Sequence, residues 1–163
     1  MDVTTFDEAD PAAASALLRS CAAVEWWVDA IVAGRPYGSL DALLDRAGAL
    51  SARWGAAEVE EALADHPRIG ERHHGSGAGA GLSEREQSGV DRSSDTVARL
   101  AEANRRYEDR FGRIFLIRAA DRDAEEILEH LERRLGHDPD TELAVTAGQL
   151  REIAALRLKG SLS

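Results

Sequence analysis

Residues 39–54 read Ser-Leu-Asp-Ala-Leu-Leu-Asp-Arg-Ala-Gly-Ala-Leu-Ser-Ala-Arg-Trp, and this stretch decides the fold class of the chain. Its apolar residues recur every three or four positions, which is the spacing that one buried stripe of an α-helix requires. Ser39 supplies a side-chain oxygen of the kind that caps a helix N-terminus. The stretch therefore predicts an amphipathic helix after Ser39. Its stripe consists of Leu40, Leu43, Leu44, Ala47, Leu50 and Trp54.

The same spacing recurs outward in both directions. Asp10 followed by Pro11 predicts a helix that runs to about Ser20, because aspartate caps helices and proline suits their first position. Alanine, the strongest helix former, occurs 29 times. We therefore expect an all-α fold, a single-domain (1–163) bundle of about eight helices with one glycine-rich loop. The next predicted helix carries Val24, Trp27, Val28 and Ile31 on one face and stops at Gly34 and Pro36. The other helices are predicted from Glu58 to Ala64 and from starts at Ser83, Asp95, Asp123 and Asp140, with Gly136 ending the helix that starts at Asp123.

Two stretches interrupt the helical pattern. Residues 70–82 contain five glycines and no large apolar side chain before Leu82, so they predict a mobile surface loop that cannot bury enough area to order itself. Residues 114–117, Ile-Phe-Leu-Ile, are too few for a helix of their own. They predict an extended, buried connector between two helices.

Composition excludes several classes of protein. A formal net charge of −10 and a pI near 5.0 argue against a nucleic-acid or anionic-membrane surface. Cys21 is the single cysteine, so an intrachain disulfide and a CxxC redox motif are impossible. No apolar run approaches the ~20 residues that cross a bilayer, and the acidic N-terminus lacks the pattern of a signal peptide. We expect a cytoplasmic protein.

His66 is the first candidate for chemistry. It precedes Pro67, which disfavours the helical conformation for the residue before it, so the helix must end there. A histidine held at such a bend can act as a general acid or base near neutral pH. The simpler alternative is a helix-terminal residue that interacts with the helix dipole. Local sequence by itself favours that alternative.

Ser83 and Glu86 have the spacing of a capping box, in which a hydroxyl and a carboxylate satisfy the first amides of a helix. Capping explains both residues without a ligand. A helix N-terminus is nevertheless also a place where amide donors meet anionic substrates. Local sequence by itself favours capping, without excluding a role in substrate binding.

Two further features are weaker. Adjacent histidines His73 and His74 face apart on most backbones and have no partner at metal-ligand spacing, so we expect no metal site. Arg157 interrupts the apolar face formed with Ile153 and Leu156. Its side chain either reaches solvent or enters a pocket.

Taken together, these segments resemble the 2-oxo-4-hydroxy-4-carboxy-5-ureidoimidazoline (OHCU) decarboxylase family over roughly residues 6–158. A histidine-proline segment and a serine-glutamate-glutamine segment at this separation are specific in combination. The segments that carry the resemblance are His66-Pro67-Arg68-Ile69-Gly70-Glu71, Ser83-x-x-Glu86-Gln87, Tyr107-x-x-x-Phe111-Gly112-x-x-Phe115-Leu116-Ile117, Glu126-Ile127-Leu128, Arg134-Leu135, Glu142 and Ile153-Ala154-x-Leu156-Arg157-Leu158.

The resemblance implies an all-α, cofactor-free homodimeric enzyme that converts OHCU to (S)-allantoin and CO2 in urate breakdown. It implies that His66 is the catalytic acid/base and that Glu86 assists beside it. Arg118 departs from the small or thiol residue expected in the connector. The substrate contacts that the resemblance implies are Pro67, Ser83, Gln87, Phe115, Ile117, Ala119 and Arg157.

Two hypotheses compete with this one. A non-catalytic helical scaffold would use the His-Pro bend and the capping box only structurally, and it predicts that His66→Ala is tolerated. A metal-dependent hydrolase would use His66, His73 and His74, and it predicts activity that is lost with chelator and restored by zinc.

Overall fold

The computed structural model describes residues 1–64, 66, 68 and 94–163. Over these ranges the chain forms eight α-helices and no β-strand, which confirms the predicted all-α class there. The predicted glycine-rich loop at 70–82 and the predicted helix start at Ser83 lie outside the described residues. The helices are α1 (Val3–Glu8), α2 (Pro11–Cys21), α3 (Glu25–Ala33), α4 (Leu40–Ser51), α5 (Ala56–Leu63), α6 (Ser94–Phe111), α7 (Ala124–Leu135) and α8 (Pro139–Ser161).

Side-chain caps set the predicted helix starts. The carboxylate of Asp10 accepts a hydrogen bond of 2.8 Å from the Ala12 N–H, and the Ser39 hydroxyl accepts one of 3.2 Å from the Ala42 N–H. Asp123 caps α7 in the same way. These bonds satisfy amides that have no partner within the helix, as the sequence predicted. The last helix begins at Pro139, one residue before the predicted start.

α1 was not predicted. It has only six residues and a single buried anchor, Phe6, so it carries no apolar repeat that a sequence pattern could reveal. Its N-terminus is capped by Asp2, and Arg35 beyond α3 donates to the carbonyls of Phe6 and Ala9 at 2.7 and 2.8 Å. A long-range contact therefore stabilises this helix.

α8 is the central element. It packs against α2, α4 and α5, whereas α6 packs mainly against α7. The buried apolar side chains accordingly form two clusters. The first cluster is built by α1–α5 and α8, and the second cluster is built by α6 and α7. No helix in the described ranges has the length and apolar character needed to cross a membrane.

The predicted connector joins the two clusters. It follows Gly112, whose φ of +71° ends α6, and residues 114–119 are neither helix nor strand. Leu116 belongs to the first cluster and Ile114 packs against it. Phe115, Ile117 and Ala119 belong to the second cluster. This alternation with period two is typical of an extended chain, so the predicted buried connector is confirmed.

Candidate active site

His66 lies directly after α5. Its backbone N–H donates to the Leu63 carbonyl at 3.1 Å, and the residue is half-buried. Leu63 is part of the first cluster, and α5 packs on α8. Two residues on, Arg68 forms an ion pair of 2.8 Å with Glu108 of α6. The segment that carries the histidine is therefore attached to α5 on one side and to α6 on the other.

The connector contributes three of the predicted substrate contacts. Phe115, Ile117 and Ala119 are only 2%, 5% and 6% exposed, because their side chains fill the second cluster. The Phe115 ring packs edge-on against Tyr107 with centroids 5.2 Å apart. Because these three side chains are buried in the core, the backbone N–H and C=O groups of the connector are better placed to contact a ligand than the side chains are.

Arg157 is a buried cation on α8. Its side chain is flanked by the core residues Ile153 and Leu158, the residue is 6% exposed, and Nη1 donates to the Ser20 carbonyl near the C-terminus of α2 at 3.2 Å. A guanidinium presents five donors in a fixed fork. At this position it can hold a carbonyl or carboxylate oxygen while α2 orients it.

Leucines near three parts of the candidate site belong to the first cluster. Leu63 lies three residues before His66, Leu116 lies within the connector, and Leu158 follows Arg157. All three leucines belong to this one cluster. The backbones that carry the described candidates are therefore held by a common core.

Arg118, the position that departs from the family pattern, is directed towards α8. Its guanidinium forms an ion pair of 2.8 Å with Glu152, and its backbone N–H donates to the Gln149 side chain at 2.9 Å. The arginine is therefore accommodated by a carboxylate on the neighbouring helix.

A buried polar network lies beside the connector. Glu142 of α8 is fully buried and accepts hydrogen bonds from Arg134 at 2.8 Å and from the Tyr107 hydroxyl at 2.5 Å. His137 Nδ1 lies 3.0 Å from its second oxygen, Oε2. Arg134 also donates to the Leu116 carbonyl at 2.7 Å, and its guanidinium lies 4.4 Å from the centre of the Phe115 ring.

Burial and hydrogen bonding shift the pKa values of both Glu142 and Tyr107. Burial acts to raise the pKa of Glu142, but hydrogen bonds from Arg134 and Tyr107 outweigh it and leave that pKa below its ordinary value. Burial, together with the hydrogen bond to Glu142, raises the pKa of Tyr107 to about 12. At neutral pH the network therefore holds an ionised carboxylate and a protonated phenol.

Sequence reasoning did not assign this network. Arg134 and Glu142 entered only as part of the family resemblance, and Tyr107 only as part of a motif. The three residues are far apart in sequence, so no spacing rule links them. An arginine and a glutamate at apolar-face positions of two helices were the only available signal.

Other predicted residues lie outside the described ranges. These are Pro67, Ser83, Glu86 and Gln87, together with His73 and His74 of the metal hypothesis. Among the residues that the structure does describe, no group of three or more His, Cys, Asp and Glu side chains could hold a metal ion.

A cavity of about 280 Å³ lies between α4 and α8, with Trp27 of α3 in its wall. Its lining is mostly apolar and includes Arg151 and Glu152. None of the predicted site residues within the described ranges lines it. Cavity size therefore does not identify the candidate site.

Comparison with known proteins extends over nearly the whole chain. The family model described as OHCU decarboxylase matches residues 7–159. The chain is 31% identical to 2-oxo-4-hydroxy-4-carboxy-5-ureidoimidazoline decarboxylase of Mus musculus over 132 residues, which cover 79% of this chain and 74% of the mouse protein. It is 29% identical to the protein of the same name from Haloferax volcanii over 139 residues, 82% of this chain and 79% of the relative.

Solved structures agree with the sequence match. The fold is similar to a crystal structure of OHCU decarboxylase in the presence of (S)-allantoin, with a TM-score of 0.74 and 25% identity. The superposition covers 86% of this chain and 93% of that one. Sequence and structure comparisons therefore point to the same family.

Proposed function

Since the chain belongs to the OHCU decarboxylase family, we propose that it converts OHCU to (S)-allantoin and CO2 with His66 as the acid/base and Glu86 assisting. The activity is that of a carboxy-lyase in urate degradation. The observation that carries the proposal is the family match over residues 7–159, which spans His66, the connector and Arg157.

The substrate's own chemistry makes a cofactor unnecessary. The carbon that loses CO2 carries a hydroxyl group and adjoins a ring C=N bond. When the C–C bond to the carboxylate breaks, its electron pair delocalises into that C=N bond. The substrate therefore serves as its own electron sink, which is the role that pyridoxal or thiamine cofactors play in other decarboxylases.

His66 supplies the proton transfers in this proposal. The imidazole relays the proton of the 4-hydroxyl, or it protonates the enol-like intermediate at C5 from one face. Delivery from one face makes a single allantoin enantiomer, whereas reaction in free solution yields both. The half-buried position of His66 after α5 supports this role, because a fixed backbone limits the directions available to the ring.

Glu86 and the substrate carboxylate have like charges at neutral pH. Glu86 orients the 4-hydroxyl or the imidazole, and its charge disfavours the carboxylate of the bound substrate. The CO2 that leaves is neutral and is not repelled. Such a difference between ground state and transition state lowers the barrier.

Arg157 is assigned to substrate binding and not to tight pairing with the departing carboxylate, because attraction of that carboxylate would have the opposite effect to the repulsion by Glu86. A tight pair with the departing carboxylate would stabilise the ground state, because CO2 carries no charge to hold. We therefore propose that Arg157 binds the ring carbonyl or ureido oxygens, or that it anchors the carboxylate only loosely. The connector backbone near Phe115, Ile117 and Ala119 contacts the same molecule, as do Pro67, Ser83 and Gln87.

The proposal includes a homodimer in the cytoplasm. The family resemblance supports the dimer, and a fully buried Cys21 that is not in a disulfide is compatible with a reducing compartment. Light scattering on the purified protein tests the dimer, and a mass of 17.6 kDa, that of one chain, would contradict it. Cell fractionation tests the location.

The central experiment generates OHCU from urate with urate oxidase and hydroxyisourate hydrolase and then adds this protein, with and without EDTA. Circular dichroism follows the allantoin formed. We expect a fast, EDTA-insensitive rise of the (S)-allantoin signal. The slow racemic background alone would contradict the proposed activity, and loss of activity with EDTA that zinc restores would favour the metal-dependent hypothesis.

A further inference from the structure

We propose that Gln149 and Arg134 are positioning residues that hold one edge of the connector so that its other edge meets the substrate. The inference rests on the proposed function, because it concerns how that same site holds OHCU. Neither residue is among the site residues that the family resemblance implied.

The connector has two chemically different edges. Its side chains alternate between the two clusters over residues 114–117, as in an extended strand, and Ala119 continues the second cluster. In such a strand the N–H and C=O of one residue point to the same side, and those of the next residue point to the opposite side. Even-numbered and odd-numbered residues therefore present their backbone groups at opposite edges.

Side chains from α8, α7 and the turn before α7 bind the even-numbered edge. Arg134 Nη1 donates to the Leu116 carbonyl at 2.7 Å. The Arg118 N–H donates to Gln149 Oε1 at 2.9 Å, and the Arg118 carbonyl accepts from Arg122 Nε at 2.8 Å. Three hydrogen bonds from three side chains therefore fix this edge.

The odd-numbered edge has a different environment. Within the described part of the chain, no hydrogen bond reaches the N–H or C=O groups of Phe115 and Ile117, whereas the Ala119 carbonyl at the end of this edge accepts one from the Arg122 N–H at 3.1 Å. Both residues are nearly fully buried, and buried backbone groups are normally paired. OHCU carries N–H groups next to C=O groups in its ring and ureido parts. This donor and acceptor pattern is complementary to the edge of a strand.

The buried arginine supports a positioning role. A buried ion pair is seldom more stabilising than apolar side chains of similar volume, and such pairs can instead fix a conformation. Arg134 is 4% exposed, and its charge is neutralised by Glu142. One of its N–H donors is not used by the ion pair and binds the Leu116 carbonyl of the connector instead. The hydrogen bond from Arg134 thereby holds the backbone of the connector against the buried network.

Gln149 connects the connector to another part of the site. Arg157 lies eight residues further along the same helix, about 12 Å at 1.5 Å per residue. α8 therefore carries both the residue that holds the connector and the cation proposed to hold the substrate. Displacing the connector relative to α8 would change the distance between the two substrate contacts.

Gln149 is the better position for a test, because removal of Arg134 would leave Glu142 buried without its cation and could unfold the protein. We compare Gln149→Leu, which removes the acceptor, with Gln149→Glu, which keeps an acceptor oxygen. Arg151→Gln, on the same helix and in the wall of the α4–α8 cavity, is the matched control. Each variant is assayed for (S)-allantoin formation over a range of OHCU concentrations.

We expect Gln149→Leu to raise KM about 3- to 10-fold, the range that loss of one hydrogen bond produces, with a smaller change in kcat. Gln149→Glu should restore most of the affinity. Amide hydrogen exchange at Arg118, measured without substrate, should become faster in Gln149→Leu and stay unchanged in Arg151→Gln.

The possible failures can be told apart. An active wild type combined with an unchanged KM in Gln149→Leu overturns the positioning role and leaves the proposed function intact. A fall in kcat alone, in proportion to lost folded protein, overturns it as well. An unchanged exchange rate at Arg118 overturns it whatever the assay shows. A wild type without decarboxylase activity overturns the proposed function and this inference with it.

Discussion

His66 is held by its backbone at the point where α5 ends. The hydrogen bond to the Leu63 carbonyl and the Arg68–Glu108 ion pair fix the chain on both sides of it. A surface ion pair contributes at most about 1 kcal/mol, so most of this order comes from the packing of α5. A positioned acid/base group accelerates reactions typically ~10²- to 10⁴-fold.

We predict that His66→Ala lowers kcat about 10²- to 10⁴-fold, because the proton relay is lost while the fold stays intact. Steady-state kinetics and a thermal melt of the same protein measure the two effects. His74→Ala is the matched control, since the metal hypothesis needs His74 and the acid/base hypothesis does not. A His66→Ala enzyme that keeps most of its rate would exclude the acid/base role.

Arg157 differs from a surface arginine in that it is buried and bonded to a helix carbonyl. We predict that Arg157→Lys raises KM about 10-fold with a smaller effect on kcat, because lysine keeps the charge and loses the planar fork. Initial rates over a range of OHCU concentrations measure this. An unchanged KM would remove the guanidinium geometry from the binding argument.

At the scale of the elements, the ends of helices decide where the site residues lie. α6 stops at Phe111 because Gly112 adopts a φ of +71°, a conformation that side chains disfavour. The chain then turns into the connector. Local rules of this kind can be recognised in the sequence. α1 cannot be predicted in this way, because it is stabilised by the distant Arg35.

We predict that Gly112→Ala lowers the free energy of unfolding by about 1 kcal/mol, through backbone strain alone, because a Cβ at this position meets no atom within 4 Å. Gly48→Ala is the matched control. A Cβ there also meets no atom within 4 Å, but Gly48 lies inside α4, where alanine should stabilise the protein by about 0.5–1 kcal/mol. Urea denaturation measures both, and equal signs would contradict the argument.

At the scale of the whole molecule, the Tyr107–Glu142–Arg134 network links α6, α7 and α8 around the connector. The pKa of Glu142 lies below its ordinary value of 4.5, so its contribution to stability is present above about pH 4.5 and is lost as pH falls through the depressed pKa. The pKa of Tyr107 is raised, so its contribution is present below pH 10.0 and is lost as pH rises towards about 12.

We predict that the wild type loses about 2 kcal/mol of unfolding free energy between pH 10 and 12 through Tyr107, since one pKa unit corresponds to ~1.4 kcal/mol and the loss is incomplete at both ends of this interval. Tyr107→Phe should lose about that much less over the same interval, although it is less stable at neutral pH for want of the hydrogen bond to Glu142. Urea titrations at several alkaline pH values measure this. Tyr37→Phe is the control, and it should still show the loss of unfolding free energy that comes from Tyr107. If the unfolding free energy of Tyr107→Phe depends on pH as that of the wild type does, the prediction is contradicted.

The sequence by itself determined the all-α class, most helix starts and the buried connector. These features follow from local rules, because apolar spacing, capping side chains and proline act within a few residues of one another. The motifs likewise sufficed to indicate the family and to select His66, Glu86 and Arg157 as candidates.

Only the tertiary structure decided which backbone and side-chain groups meet. It directs the side chains of Phe115 and Ile117 into the second cluster, joins Arg134 and Glu142 beneath the connector, and attaches Arg118 to Gln149. No spacing rule contains these contacts. They arise from the packing of α6, α7 and α8 against one another, and burial there favours pairing of the polar groups that enter the core.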